Sequence, residues 1–162
     1  YQYTIKYVFE NLGGTIIVVV RTVFDRISFY IESMIASPLG WVEIELPGVI
    51  LFGFIILLLL CGLSDRGKYR FSENEKRVCY LLVLVMNGLV LAAMLVSYTY
   101  IGSDIILGVQ GRYFVPALPL VLCAMDSEYV TLKRNIDAEM MLAVQGLQLY
   151  AIWAITSTVV SR

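Results

Sequence analysis

The residues best suited to bind a ligand lie in one segment, which runs Gly108-Val109-Gln110-Gly111-Arg112-Tyr113-Phe114-Val115-Pro116-Ala117-Leu118-Pro119. Gly108 and Gly111 expose backbone N–H groups beside the fixed positive charge of Arg112, an arrangement that suits a phosphate or pyrophosphate. Gln110 and Tyr113 could add hydrogen bonds to a sugar or diphosphate. In the alternative interpretation, the two glycines form a tight turn and the arginine extends to the membrane interface.

Acidic side chains that could act with this segment are few. Asp104 is a candidate metal ligand or base, or the ion-pair partner of Arg112. Glu43 and Glu45 point the same way in an extended loop, so they could bind a divalent cation through oxygen ligands or remain solvated. The sequence has no histidine, and its three cysteines form no zinc-like spacing. We therefore predict no resident metal or cofactor, with a divalent cation as the open alternative.

The composition indicates that these residues are positioned by membrane helices. The 162 residues are 59% hydrophobic and 15% charged, with a mean hydropathy of +0.79. Soluble domains are about 45–50% apolar and about 25% charged, so the excess apolar surface is expected to face lipid. The net charge of −1 gives no field that would attract nucleic acid. These values predict an all-α polytopic membrane protein with membrane lipid as a partner.

Four apolar segments are candidates to cross the membrane. The predicted transmembrane helices cover about 47–63, 78–100, 105–125 and 140–160. Loop 64–77 is the most basic, so the positive-inside rule places it and loop 126–139 in the cytoplasm. Loop 101–112, with the candidate binding segment, is then external. The predicted location is the plasma membrane.

A fifth segment, 16–36, has the periodicity of an amphipathic helix. Its polar stripe follows steps of four, three and four residues and consists of Arg21, Asp25, Ser28 and Glu32. Charges in mid-membrane cost about 2.5–3.5 kcal/mol each, so this helix is expected to lie along the interface or to pack on the rest of the bundle, and not to span the membrane alone. Thr15 is its expected N-cap after a break at 11–14, and Arg21 is expected to pair with Asp25.

The predicted organisation has two parts. Residues 1–46 form an external amphipathic helix and loop, and residues 47–162 form the transmembrane bundle. Because the chain opens on Tyr1 and shows no signal-peptide pattern, we expect it to be a fragment of a longer protein.

Two motifs in the sequence resemble those of a known family. The first is Phe29-Tyr30-Ile31-Glu32-Ser33-Met34-Ile35-Ala36, followed by Leu39-Gly40-Trp41 and Leu46-Pro47. The second is Ile106-Leu107-Gly108-Val109-Gln110-Gly111-Arg112-Tyr113-Phe114, with Pro116 and Pro119. Together they resemble domain of unknown function 2142, a group of multi-spanning microbial membrane proteins. That group is similar to the GT-C class of glycosyltransferases, which use polyprenyl-phosphate sugars.

The resemblance implies a specific function, which the individual residues do not indicate by themselves. It implies the C-terminal membrane portion of a GT-C-like enzyme of cell-envelope glycan assembly. The phosphate of a polyprenyl-phosphate sugar would lie near Arg112, and the sugar would pass to an external acceptor. The catalytic acid of such enzymes is expected in a first external loop, which implies an N-terminal remainder of the same protein as a partner. Glu43 and Glu45 depart from the family pattern, which usually has an aspartate-threonine pair there.

Two alternatives come from other functional classes. A flippase or transport component for lipid-linked glycans would need polar residues in mid-membrane, for which the candidates are Asn87, Ser97 and Gln145. A non-catalytic scaffold would pack against partner helices through small residues, for which the candidates are Gly53, Gly88, Ala92 and Gly146.

Overall fold

The computed structural model describes residues 2–35, 46–63, 71–125 and 136–160. Within these ranges the chain forms helices, no strand, and one isolated bridge between Gln2 and Tyr100. The helices are α1 (Ile5–Glu10), α2 (Leu12–Ile35), α3 (Gly48–Leu63), α4 (Glu73–Tyr98), a 3₁₀ segment (Gly111–Ala117), α5 (Leu118–Ala124) and α6 (Asp137–Val160). The predicted all-α class is therefore confirmed.

Two helices, α4 and α6, are long and apolar enough to cross a membrane. Only 11% and 6% of their apolar windows are buried inside the molecule, whereas the core helix of a soluble protein would be largely buried. The shorter apolar helices are Gly48–Leu63 and Gly111–Ala124. Two candidate spans are thus present among the described residues, and the count of four remains a prediction.

Helical structure in the third predicted span begins later than the sequence suggested. Residues 105–110 form a loop, and helical structure begins only at Gly111. Pro116 lies inside the 3₁₀ segment, and α5 has Pro119 in its first turn, where a missing N–H costs little. The loop does not become helical because side-chain hydroxyls accept its backbone N–H groups, as described below.

The predicted start of the amphipathic helix also needs correction. This helix begins at Leu12 and includes Gly13 and Gly14, so Thr15 is not its N-cap. Thr15 is buried inside the helix, and its N–H donates to the carbonyl of Asn11 at 3.0 Å. The break lies earlier, at Asn11 between α1 and α2.

α4 begins at Glu73, before the predicted span, because a capping box starts it. The Ser72 side chain accepts from the Glu75 N–H at 3.4 Å, and the Glu75 carboxylate accepts from the Ser72 N–H at 2.7 Å. This exchange satisfies backbone donors that the first turn of a helix leaves without partners. Residues 73–77 of the predicted cytoplasmic loop are therefore helical.

α2 connects the two hydrophobic clusters of the molecule. The larger cluster comprises Tyr3, Tyr30, Leu91, Leu95, Ile106 and Val109, with Val18 and Val19 of α2 packed against it. In the smaller cluster, Ile35 at the end of α2 packs against Ile50 of α3 and Ala154 of α6. α2 packs most closely against the 3₁₀ segment and less extensively against α3. It is not among the helices apolar enough to span, and its placement along a membrane interface stays a prediction.

Candidate functional site

The loop before the 3₁₀ segment is attached to α2 and α4 by buried hydroxyl groups. Thr22, which is fully buried, accepts a hydrogen bond from the Ile106 N–H at 2.8 Å and donates to the Val18 carbonyl at 2.6 Å. Thr99, also fully buried, accepts from the Leu107 N–H at 3.1 Å. Consecutive N–H groups of the loop are therefore satisfied without regular secondary structure.

Ser33 supplies a third hydroxyl where the loop ends. The Gly111 N–H donates to Ser33 Oγ at 2.8 Å, and that hydroxyl donates to the Phe29 carbonyl at 2.6 Å. Thr22 and Ser33 are eleven residues apart in the sequence, which is about three helical turns, so both lie on one face of α2. The two hydroxyls fix residues 106–111 along that face.

Gly111 is the point where the backbone of this segment approaches α2 most closely. A Cβ at this position would lie 1.9 Å from the Tyr30 carbonyl oxygen and 2.5 Å from the Met34 nitrogen. Both atoms belong to the helix backbone, which cannot move aside as a flexible side chain can. Glycine is therefore required here for contact between main chains. Its N–H is occupied by Ser33 instead of facing an open phosphate site.

The fixed loop forms one wall of a pocket of about 230 Å³ with a mixed polar and apolar lining, which is called the polar pocket here to distinguish it from the more apolar groove beside it. Its lining residues are Arg26, Phe29 and Tyr30 of α2 and Ile105, Ile106, Leu107, Gly108, Val109 and Gln110 of the loop. Gly108 has a φ of 77°, a left-handed conformation that glycine adopts without strain. This conformation turns the chain so that residues on both sides of Gly108 line the pocket.

An apolar groove of about 730 Å³ lies next to the polar pocket. It runs between α2, α4 and the helical stretch 111–124, and its apolar lining includes Val23, Ile27, Leu84, Leu91, Phe114 and Val121. Asn87 and Gly88 of α4 also line it. Its volume is in the range of small-molecule sites, about 300–1,000 Å³.

Tyr30 is the residue that lines both cavities. Its ring is 8% exposed and makes an edge contact with Phe114, at 5.5 Å between ring centroids. Its hydroxyl makes no hydrogen bond with the described residues. Burial raises the pKa of Tyr30, and the nearby Arg26 guanidinium partly opposes that change. The phenol therefore remains protonated at neutral pH and can donate a hydrogen bond.

The structure brings together only part of the predicted site. Gly108 and Gln110 line the polar pocket, whereas Gly111 is buried against α2. Arg112 and Tyr113 are exposed at the start of the 3₁₀ segment and are not among the lining residues of either cavity. The predicted phosphate-binding arginine is thus separated from the pocket that its neighbours form.

Asp104 pairs with Arg21, whereas the sequence suggested a metal ion or Arg112 as its partner. Its carboxylate lies 2.5 Å from the Arg21 guanidinium, so the expected pairs of Arg21 with Asp25 and of Asp104 with Arg112 do not form. The Asp104 side chain is 82% exposed, and exposed ion pairs contribute about 0–1 kcal/mol. Asp104 therefore contributes little energy to the attachment of the loop to α2, and its role as a metal ligand or base stays a prediction.

The residues that sequence reasoning missed are Arg26, Tyr30 and the buried hydroxyls. Arg26 is outside the polar stripe because it follows Asp25 directly. The two family motifs could have indicated some of these residues. The first motif, 29–47, contains Tyr30 and Ser33, and the second motif, 106–119, contains Gly111 and Phe114. These two motifs contact each other through the Tyr30–Phe114 rings and the Ser33–Gly111 hydrogen bond.

The cation hypothesis gains no support from the part of the chain that the structure describes. No group of three His, Cys, Asp or Glu residues that could hold a metal ion occurs there. Glu43 and Glu45 lie outside the described residues, so their proposed role stays a prediction.

The fold and the exposed apolar helices define the chain as a helical membrane protein. The family model described as Predicted membrane protein (DUF2142) matches residues 2–121, and the chain belongs to this family. The match includes both motifs, both walls of the polar pocket, the helices from α1 to α4, the 3₁₀ segment and the first half of α5. No curated protein and no solved structure matches the chain.

Proposed function

We propose that the chain is the membrane portion of a GT-C-like glycosyltransferase that binds a polyprenyl-phosphate-linked sugar at the external face of the plasma membrane. The isoprenoid chain occupies the apolar groove, and the polar head occupies the pocket formed by residues 105–110. The observation that carries this proposal is the position of Tyr30 in the walls of both cavities. An apolar space joined to a small polar one has the shape and polarity of an amphiphile.

The charge distribution supports an anionic head in the polar pocket. Among the residues that the structure describes, the pocket lining includes Arg26 and no carboxylate. A phosphoryl group placed there would meet a guanidinium, which suits its geometry and charge. The described part of the groove lining, by contrast, contains no charged residue, as an isoprenoid chain requires.

The two alternative functions have less support from the described residues. Of the polar candidates for a transport path, Asn87 lines the groove, whereas Ser97 and Gln145 do not. Among the small residues expected in a scaffold interface, Gly53 is already covered, because a Cβ there would lie 2.7 Å from Leu147 Cδ1. Neither observation favours transport or scaffolding over binding of an amphiphile.

Gly88→Leu tests whether the groove holds the isoprenoid chain. Gly88 lines the groove, and a Cβ placed on it has nothing within 4 Å, so a leucine can extend into the empty space without a clash. The change also favours the helix, because glycine is the weaker helix former by about 0.5–1 kcal/mol. We expect affinity for a polyprenyl-phosphate hexose to fall at least about tenfold, or about 1.4 kcal/mol, in the full-length protein in nanodiscs.

The matched control is Gly146→Leu. Gly146 is also a helical glycine whose Cβ would have nothing within 4 Å, but it lies in α6 and does not line the groove. Its substitution should leave affinity unchanged within about twofold. Equal affinity of wild type and Gly88→Leu would show that the ligand does not occupy the groove.

A further inference from the structure

We infer that Arg26, Tyr30 and Gln110 form the recognition site for the phosphoryl group, and that Arg112 does not belong to it. This inference rests on the proposed function for the identity of the ligand as a phosphate-bearing amphiphile. It deepens that function because it assigns the head group to particular side chains. The assignment differs from the one that the second motif suggests, where the arginine follows directly after the glycines.

Arg26 is the cation in position to bind an anion in the polar pocket. It lines the pocket and forms no ion pair with any residue that the structure describes. Arg21, the preceding arginine on α2, is instead paired with Asp104. A phosphoryl group would therefore find one arginine without a competing carboxylate in the pocket wall.

Tyr30 gives independent evidence that a polar group of a ligand belongs here. Its side chain is more than nine-tenths buried, and within the described ranges its hydroxyl donates to no acceptor. Thr15 Oγ1, and not the Tyr30 oxygen, is the fully enclosed hydroxyl oxygen that lacks a partner among the described residues, so the Tyr30 hydroxyl is still reached by solvent and can donate to a ligand in the pocket. A phosphoryl oxygen in the pocket would accept from this hydroxyl while the Phe114 contact holds the ring in place.

The loop adds donors to the same site. The N–H groups of Gly108, Val109 and Gln110 donate to no acceptor among the described residues, in contrast to those of Ile106, Leu107 and Gly111. Consecutive N–H groups in a chain that passes through the left-handed conformation commonly form a concave site for anions. The Gln110 side chain also lines this pocket and is without a hydrogen bond to the described part of the chain.

Selectivity for a phosphorylated isoprenoid over neutral membrane lipids must come from contacts with the head group, because the groove contacts only the apolar chain. Lipid tails are as apolar as leucine side chains, so moving an isoprenoid chain from bilayer to groove has little hydrophobic driving force. Charge-assisted hydrogen bonds are roughly twice as strong as those between neutral groups. Discrimination between a phosphorylated isoprenoid and an ordinary neutral lipid is therefore expected to depend on Arg26.

The test compares farnesyl phosphate with farnesol, which has the same chain and no phosphate, on the full-length protein in nanodiscs of neutral lipid. Wild type should bind the phosphate at least about tenfold more tightly. Arg26→Gln should lower affinity for the phosphate by about 10- to 100-fold and leave affinity for farnesol unchanged. Tyr30→Phe, which keeps the ring, should lower it by about 3- to 10-fold, and Arg26→Lys should restore part of the loss.

Arg112→Gln is the matched control, since it removes an exposed arginine outside both cavities. We expect it to change affinity by less than about twofold. If Arg112→Gln weakens farnesyl phosphate binding and Arg26→Gln does not, the inference is wrong while the proposed function stands. Loss of farnesol binding in Arg26→Gln would also contradict it, because a specific head contact cannot affect a ligand without the head.

Two further probes separate the inference from the proposed function. If inorganic phosphate competes as well as farnesyl phosphate and its binding depends on Arg26, the phosphoryl site is correct and the groove contributes nothing. If phosphatidic acid binds with the same dependence on Arg26 while polyprenyl-phosphate hexose does not bind, the phosphoryl site is again correct and the glycosyltransferase proposal fails.

Discussion

Gly111→Ala is expected to destabilise the protein by about 3 kcal/mol or more, the largest effect of any change considered. The added methyl group would overlap the Tyr30 carbonyl oxygen and the Met34 nitrogen of α2. The segment can relieve this overlap only by moving away from the helix, which breaks the Gly111–Ser33 hydrogen bond and opens the Tyr30–Phe114 contact. The measurement is the midpoint of unfolding in detergent micelles, with tyrosine fluorescence as the signal that monitors unfolding.

Gly13→Ala provides the control with the same chemical change. Gly13 lies in α2, and a Cβ there would have nothing within 4 Å. This variant should unfold at or slightly above the wild-type midpoint, because alanine is the better helix former. If Gly111→Ala unfolds at the same point as Gly13→Ala, the close contact between the 3₁₀ segment and α2 does not exist in the native protein.

Thr22→Val is expected to cost about 1–3 kcal/mol and to loosen the loop that forms the polar pocket. Valine keeps the shape of threonine, so the packing is preserved while the hydroxyl is lost. The Ile106 N–H would then be buried without an acceptor, because Thr22 Oγ is its partner at 2.8 Å. Backbone hydrogen exchange should show faster exchange at Ile106 and Leu107 than in wild type, together with the lower unfolding midpoint.

Thr156→Val removes a hydroxyl from a site where little should depend on it. The Thr156 hydroxyl is exposed and donates to the Ile152 carbonyl of its own helix at 2.8 Å. Its loss leaves no buried donor without a partner, so stability should change by less than about 0.5 kcal/mol. Equal destabilisation by the two valine substitutions would mean that the Thr22–Ile106 bond does not hold the loop.

The helices could be predicted from the sequence because long apolar runs determine them. α3, α4 and α6 coincide with predicted segments, and differences occur mainly at their ends. At the start of α4 the sequence pattern was polar, so the prediction began with the apolar run, whereas the Ser72–Glu75 capping box starts the helix earlier. Hydrophobicity therefore locates a membrane helix, and local hydrogen bonding determines where it begins.

The attachment of the loop could not be predicted in the same way. Thr22 and Ser33 are short polar residues in a helix, where such residues usually bond to their own backbone. Their loop partners lie 84 and 78 residues further along the chain, and no periodicity connects such distant positions. The role of Gly111 was also hidden, since a glycine required for a close contact has the same sequence appearance as one in a turn.

The location of the candidate site was predicted more accurately than its chemistry. The sequence directed attention to segment 108–119, and Gly108 and Gln110 do line a polar pocket. Arg112 stood out because it follows the glycines. The sequence offered no reason to select Arg26, because only the folded chain brings it to the pocket wall with the loop.

The attachment of α2 also determines how a ligand can reach the groove. Lifting α2 away as a lid would break the Thr22–Ile106 and Ser33–Gly111 hydrogen bonds together and separate Ile35 from α3 and α6. Such a movement requires several favourable interactions to be lost at once. If the groove holds a chain-like ligand, that ligand would instead slide in sideways from the bilayer between α2 and α4, because α4 is closely packed against the stretch 111–124 and makes few close contacts with α2. The rate of loading would then depend on the fluidity of the surrounding lipid more than on opening of the protein.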